Sequence, residues 1–177
     1  KMLKFRDTRE TFVAGVPAIL NRISFSGELG YEIYVPPQFQ LKLFEEIEAH
    51  GKNLSLKLYG ARALMSLRLE KNWGVWTLDF RPDFTAAESG LDNFINWNKD
   101  FIGKKASLDE KKQGAKKKLV TMTIDTKDID VTNDEAILKN NKCVGYITSG
   151  GYAHHVKRSM ALGYVPTELS KHNTTLD

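Results

Sequence analysis

Residues 22–36 read RISFSGELGYEIYVP, and this segment gives the clearest indication of local structure in the chain. Two glycines, Gly27 and Gly30, mark a tight turn in its middle. Before the turn, residues 18–25 mix apolar and polar positions as a strand does. After it, residues 31–35 are aromatic and β-branched and alternate at period two. The pattern predicts a β-hairpin, or a strand with a bulge.

Two carboxylates, Glu28 and Glu32, lie around this turn, and Tyr31 precedes the second. Neighbouring strand residues point to opposite faces, so one of Tyr31 and Glu32 meets a core and the other meets a cavity or solvent. A carboxylate in a cavity can accept two parallel hydrogen bonds from a planar ligand with an N–C–N–H edge. The alternative is that Glu28 is only a turn residue and Glu32 is a surface partner for a lysine. The residues alone leave both interpretations open.

Helical periodicity follows the hairpin. The prolines at 36 and 37 open a first helix that Gly51 ends, and a second helix is predicted from Ala61 to Glu70. The residues expected on their apolar faces are Phe39, Leu43, Phe44 and Ile47 in the first helix, and Leu64, Met65 and Leu67 in the second. The elements expected next are an irregular segment at 74–80, a turn at 81–83, a short helix within 86–94 and a polar helix over 103–112.

The character of the chain changes after Gly114, where apolar and polar residues begin to alternate at period two. The sequence therefore predicts an α+β fold, with a mixed segment over residues 1–113 and a small all-β segment over residues 114–177. The elements expected in that second segment are a strand at 120–124, a hairpin of 136–138 and 144–148, a turn at 149–152 and a strand at 160–165.

The composition is ordinary for a globular protein, with 41% apolar and 27% charged residues among 177. No apolar run approaches the roughly 20 residues of a membrane-spanning helix. Much of the excess positive charge, +4 net, lies in a lysine-rich stretch, which favours a solvated helix and linker and leaves a polyanionic small ligand as the alternative. We expect no nucleic-acid or membrane partner. The lysines of that stretch are Lys104, Lys105, Lys111, Lys112, Lys116, Lys117 and Lys118.

Nucleophile and metal motifs are not found. The single cysteine, Cys143, is predicted to be a packed core thiol, and a reducing compartment follows, either the cytoplasm or the mitochondrial matrix. His154 and His155 are adjacent and are expected in a turn without a role. The acids at 125, 128 and 130 lack the glycine and the closing glutamate of a calcium loop. We predict no metal site.

The sequence of residues 22–36 resembles the signature of the folate-binding aminomethyltransferase family, whose type member is the T protein of the glycine cleavage system. Further motifs resemble the family's other signatures in the right order, and within the family they are most similar to the folate portion of sarcosine and dimethylglycine dehydrogenases. The alternatives are a stand-alone aminomethyltransferase and a non-catalytic module of the same fold. These motifs are residues 66–71, 81–83, 88–91, 100–106, 145–151 and 160–165.

The resemblance implies a fold of three small domains around a channel that holds tetrahydrofolate, of which this chain is the C-terminal part. Residues 1–113 would be the C-terminal half of the folate-binding domain, and residues 114–177 a truncated, barrel-like all-β domain. The position matching the family's pterin-binding carboxylate is Glu32, and Glu28 and Tyr31 flank it. Arg62 is a further candidate folate contact, although the family's arginine falls in register with Leu64.

The reaction that the resemblance implies is transfer of a one-carbon unit from an amine to tetrahydrofolate. The family's general base lies upstream, so no catalytic residue is assigned in this chain. Both ends look cut, so we expect a missing N-terminal half of the same polypeptide as partner, a small-molecule amine as substrate and an inactive fragment in isolation. FAD is expected only if a separate upstream domain exists.

Overall fold

A computed structural model describes residues 3–177, and the chain divides into two compact units. The first unit reaches Lys71 and the second begins at Asn72. Each unit contains both helix and sheet, which confirms the predicted α+β class. The predicted division between residues 113 and 114 concerns the domains of the family and stays a prediction.

The first unit is built on a three-stranded antiparallel sheet with the order β1-β2-β3. Along β2 the residues Val16 and Ala18 are buried while Pro17 and Ile19 are exposed, so one face of the sheet forms the core. Its elements are β1 (Thr8–Val13), β2 (Val16–Asn21), β3 (Glu32–Tyr34), α1 (Gln40–Gly51) and α2 (Ala61–Glu70), with 3₁₀ turns at Pro37–Phe39 and Lys52–Leu54.

The predicted hairpin is present, because β2 pairs antiparallel with β3. The strand before the turn is shorter than predicted and ends at Asn21 instead of residue 25. The pairing with β3 stops at Asn21 and Glu32, and residues 22–31 form a long irregular turn. Arg22 still bonds toward the β1 side, since its N–H donates to the Asp7 carbonyl and its carbonyl accepts from the Arg6 N–H, both at 2.9 Å.

The two helices lie where the periodicity predicts, but their buried faces differ from the prediction. In α1, Leu43 is buried while Phe44 is 45% exposed. In α2, Arg68 and Leu69 are buried, whereas Leu67 is 38% exposed. Leu64 and Met65 lie one helical turn before Arg68 and Leu69, on the same face of α2, and both are half-buried. Of the three residues predicted for the apolar face of α2, these two are therefore correct and Leu67 is not.

The second unit is built on a four-stranded antiparallel sheet with the order β4-β7-β6-β5. Ile137, Ile147, Ala161 and Val165 form its buried centre. Its elements are α3 (Lys104–Gln113), β4 (Lys117–Ile124), β5 (Ala136–Lys139), β6 (Lys142–Ala153) and β7 (Arg158–Pro166), with 3₁₀ turns at Asp92–Phe94 and Thr167–Leu169.

The turn residues Asn140 and Asn141 join β5 to β6 as predicted, with φ of 52° and 60°. Two other expectations are wrong. Residues 149–152 continue β6, because a register shift between Ile147 and Ser149 lets the strand pass its glycines, and the turn lies at 154–157 instead. Residues 86–94 form turns and a 3₁₀ turn instead of a short helix, since Gly90 has a φ of 71° that interrupts a helix.

A fully buried carboxylate, that of Asp79, ties the segment after α2 to the sheet of the second unit. It accepts hydrogen bonds from the hydroxyl of Thr148 at 2.5 Å, the hydroxyl of Ser149 at 2.7 and 2.9 Å and the backbone N–H of Val75 at 2.8 Å. The Tyr164 hydroxyl donates to the Asp79 carbonyl at 2.8 Å. The irregular segment at 74–80 therefore has a polar anchor inside the unit.

Tyr164 should make the second unit sensitive to alkaline pH. Its ring is 1% exposed, and burial raises the pKa of its phenol, while the hydrogen bond with Ser89 lowers that pKa by less. The contribution of Tyr164 to stability is therefore complete below the ordinary pKa of 10.0 and is lost as pH rises through the pKa of the folded state.

We expect Tyr164→Phe to flatten the fall in stability above about pH 10, because phenylalanine cannot ionise. The measurement is the urea midpoint of the natural full-length polypeptide between about pH 8 and 11. An equally steep alkaline fall in the variant would contradict the assignment to Tyr164.

Candidate binding turn

Arg22 closes the irregular turn between β2 and β3. Its Nη1 donates to the Gly30 carbonyl at 3.2 Å, and its guanidinium carbon lies 5.3 Å from the centre of the Tyr31 ring. A cation over an aromatic face is worth about 0.5–1 kcal/mol at exposed sites. The first residue of the turn is therefore bound to its last two residues, directly before β3 begins.

Lys71, the residue after α2, holds the middle of the same turn. Its Nζ lies 2.7 Å from Oε1 of Glu28. Its aliphatic stem lies against Gly27, since a Cβ built on that glycine would be 2.7 Å from Lys71 Cγ. The two charged groups are about half exposed, so the ion pair itself contributes only about 0.2–1 kcal/mol. We therefore attribute most of the stabilisation of the turn by Lys71 to packing of its aliphatic stem against Gly27.

Gly27→Ala is expected to destabilise the protein more than Gly15→Ala. Both glycines have a positive φ, 79° and 77°, which costs an alanine about 1–2 kcal/mol. Only Gly27 has the Lys71 stem on it, while the space at Gly15 is open within 4 Å. The measurement is the urea midpoint of both variants. Equal losses would contradict the Lys71 contact. Adding Lys71→Ala, which removes Cγ and Cδ but keeps a Cβ at 3.0 Å, should recover part of the extra loss.

The Glu32 carboxylate lies at the exit of the turn, on the first residue of β3, and its side chain is half-buried. Oε2 accepts a hydrogen bond from the Tyr34 hydroxyl at 2.5 Å. This bond, together with the negative charge of Glu32, raises the pKa of the Tyr34 phenol. Oε1 accepts no hydrogen bond from residues 3–177. The carboxylate is thus oriented by a neighbour and has an oxygen available to a donor.

The other residues predicted for the site have different surroundings. Glu28 is exposed and paired with Lys71, and Tyr31 is 43% exposed beneath the Arg22 guanidinium. Glu28, Tyr31 and Glu32 are therefore close along the chain, but each side chain engages a different partner: Lys71, Arg22 and Tyr34 respectively. Arg62 lies exposed in the first turn of α2 and makes no hydrogen bond or ion pair with the described part of the chain.

Sequence reasoning missed the two side chains that hold the turn, Arg22 and Lys71. Arg22 lies inside the quoted motif, but no sequence pattern predicts that its side chain contacts Gly30 and Tyr31 at the other end of the turn. Lys71 stood in another motif, and only the fold places it against Gly27. A lysine following a motif carries no spacing that predicts such a contact.

Sites outside the turn are less developed. Cys143 is exposed, so the prediction of a core thiol is wrong; it lies at the start of β6, where Lys142 is exposed as well, and its Sγ donates to the Gly145 carbonyl at 3.4 Å. His154 and His155 lie in a turn, as predicted.

Residues 3–177 hold no cluster of three or more histidine, cysteine or acidic side chains suited to a metal ion. Over the same residues, no helix is long and apolar enough to cross a bilayer.

The lysine-rich stretch lies on α3 and the start of β4, so the predicted linker is shorter than expected, and the preference for a solvated face stays a prediction. Lys104 is half-buried, and the other lysines named above are exposed. Two surface cavities of about 380 and 820 Å³ lie in the second unit. The larger carries acids at 125, 128 and 130 and bases at 127, 157 and 158, so its lining favours neither sign of charge.

Comparison with known proteins agrees with the motifs. Residues 1–99 match the GCVT N-terminal domain, and residues 117–177 match the glycine cleavage T-protein C-terminal barrel domain. Mitochondrial dimethylglycine dehydrogenase of Homo sapiens is 38% identical over 96% of this chain, which spans 20% of that protein. The aminomethyltransferase of Desulfitobacterium hafniense is 33% identical over 93% of this chain, which spans 45% of that protein.

A solved structure matches as well. The glycine cleavage system aminomethyltransferase T from Bartonella henselae superposes with a TM-score of 0.82 at 26% identity. The match covers 90% of this chain and 44% of that one, so the chain spans less than half of the relatives it resembles. The fold is therefore that of part of an aminomethyltransferase with its small C-terminal sheet domain, as predicted. The chain belongs to the glycine cleavage T-protein family of folate-binding aminomethyltransferases.

Proposed function

We propose that this chain is the part of a tetrahydrofolate-dependent one-carbon transfer enzyme that binds the pterin ring through Glu32. The observation that carries the proposal is the Glu32 carboxylate, which is half-buried and oriented by Tyr34. It lies at the end of a turn that is held by Arg22 and by Lys71. A pterin presents an amino group and a ring N–H side by side, and the two oxygens of one carboxylate suit that pair.

The turn is ordered before any ligand binds. Arg22 and Lys71 hold the turn through contacts that need no bound molecule. A site that is already ordered loses less entropy on binding and therefore binds more tightly. When bound, tetrahydrofolate supplies the nitrogen that receives the one-carbon unit, and the chain orients the ring that carries it.

The roles of the neighbouring residues follow from their contacts. Tyr31 and Tyr34 present exposed rings beside Glu32 and flank the pterin. Glu28 is engaged by Lys71, so we assign it to holding the turn rather than to a direct contact. Arg62 remains a candidate folate contact because its guanidinium is exposed on α2.

We place the chain in a sarcosine- or dimethylglycine-dehydrogenase-like protein, with the human dimethylglycine dehydrogenase match as support. In this proposal residues 1–113 form part of the folate domain and residues 114–177 form the barrel domain. The general base and any FAD belong to other parts of the polypeptide, and this chain alone is inactive. The dehydrogenase match is named mitochondrial, which supports the mitochondrial matrix over the cytoplasm.

A stand-alone aminomethyltransferase is the second candidate, supported by the bacterial relatives. The two candidates differ in flavin content. Purified natural full-length polypeptide of a dehydrogenase should absorb near 450 nm, and a stand-alone transferase should not. A colourless full-length protein that still binds tetrahydrofolate would favour the transferase.

The folate assignment is tested by calorimetric titration of the natural full-length polypeptide with tetrahydrofolate. We expect saturable binding, and we expect a large loss of affinity for an analogue whose 2-amino group is replaced by methyl, because that group donates to Glu32. Absence of tetrahydrofolate binding would contradict the proposed function. Equal affinity for the analogue would contradict the pterin edge as the recognised feature.

A further inference from the structure

Asn21 stands beside the Glu32 carboxylate. It ends β2 and lies directly opposite Glu32 in the register of the β2–β3 pair. Directly opposed residues of an antiparallel pair share a face, with Cβ atoms about 4.5–5.5 Å apart. Tyr34 lies on that face too, as its hydrogen bond to Glu32 requires. Asn21 and Glu32 are therefore neighbours on one face of the sheet.

The Asn21 side chain has a polar atom that nothing in residues 3–177 satisfies. Its Oδ1 is buried and accepts no hydrogen bond. A buried acceptor left without a donor costs about 1–3 kcal/mol, so such groups are few in folded proteins and require a reason. Natural proteins accept such costs where function needs them. No hydrogen bond at Oδ1 has to be broken when the amide turns toward a ligand.

We infer that Asn21 is a second pterin-contacting residue, whose amide oxygen accepts a hydrogen bond from the ligand amino group held by Glu32. This inference rests on the proposed function. An exocyclic amino group has two N–H bonds, and a carboxylate that also binds the ring N–H uses one of them. The second N–H needs an acceptor next to the carboxylate. Asn21 is the cross-strand neighbour that supplies one.

The test is Asn21→Ala in the natural full-length polypeptide, titrated with tetrahydrofolate. One neutral hydrogen bond is worth about 1 kcal/mol, so we expect affinity about fivefold weaker. The urea midpoint should stay the same or rise, because the variant removes an unsatisfied buried acceptor. A purely structural asparagine would lower the midpoint instead. The matched control is Thr8→Ala, since Thr8 is exposed and pairs with Asn21 from the other side; its affinity should change less than twofold.

A second readout uses the folate analogue with methyl in place of the 2-amino group. Asn21→Ala should weaken binding of tetrahydrofolate but leave binding of the analogue unchanged, and Asn21→Ser, whose hydroxyl is too short to reach, should behave in the same way. Affinity for tetrahydrofolate within twofold of the parent in both variants would overturn the inference, as would equal losses for both ligands. If Glu32→Ala weakens binding and Asn21→Ala does not, only Asn21 is misassigned. If neither does, the proposed function itself fails.

Discussion

Asp79→Ala is expected to destabilise the second unit by about 3–5 kcal/mol. The carboxylate is fully buried and takes hydrogen bonds from Thr148, Ser149 and the Val75 N–H. Hydrogen bonds to charged groups are worth about 1.5–3 kcal/mol each, and their loss leaves buried donors unpaired. Breaking a buried hydrogen-bond network is one of the few changes that lower the free energy of unfolding by several kcal/mol. The measurement is the free energy of unfolding in urea.

The control for this variant is Asp83→Ala. Asp83 lies on the same connecting segment but is 58% exposed and paired with Arg81 at 2.9 Å. Removal of an exposed ion pair should cost less than about 1 kcal/mol. Similar effects of the two substitutions would show that the Asp79 network does not stabilise the unit.

Glu32→Ala should abolish most of the affinity for tetrahydrofolate. Hydrogen bonds to a charged group are worth about 1.5–3 kcal/mol each, so loss of this two-bond contact should cost about 2–5 kcal/mol, or roughly 30-fold to several thousandfold in Kd. Tyr34 loses the acceptor of its hydroxyl in the same variant, so the pKa of its phenol should fall back toward the ordinary value. Calorimetric titration of the natural full-length polypeptide measures the first effect, and phenolate absorbance measures the second.

Glu28→Ala is the matched control, because this carboxylate lies on the same turn but is 65% exposed and paired with Lys71. Its affinity for tetrahydrofolate should stay within about threefold of the parent. A Glu32→Ala variant that binds within twofold of the parent would remove Glu32 from the site. If Glu28→Ala loses as much affinity for tetrahydrofolate as Glu32→Ala does, Glu28 contacts the ligand directly.

Local signals in the sequence predicted the elements that depend on local geometry. The alternation after Gly30 located β3, and the periodicity over residues 61–70 matched α2. The pair Asn140-Asn141 located a turn because asparagine tolerates a positive φ. The motif around Glu32 also placed Glu28 and Tyr31 on one turn with it, as the structure has them.

Contacts between distant residues could not be predicted in this way. Asp79 accepts from residues about 70 positions along the chain, and no pattern near Asp79 announces them. Alternation in β6 indicated a strand but not which face is buried, so Cys143 was placed inside when it is exposed. The glycines at 150 and 151 read as a turn because the register shift that carries β6 through them depends on its partner β7.

The most direct measurement is a structure of the natural full-length polypeptide with tetrahydrofolate bound. We predict both Glu32 carboxylate oxygens within about 3.2 Å of the pterin amino and ring nitrogens, with Asn21 facing the same amino group. A pterin bound elsewhere, with Glu32 still paired only to Tyr34 at the surface, would contradict the assignment of this turn as the folate site.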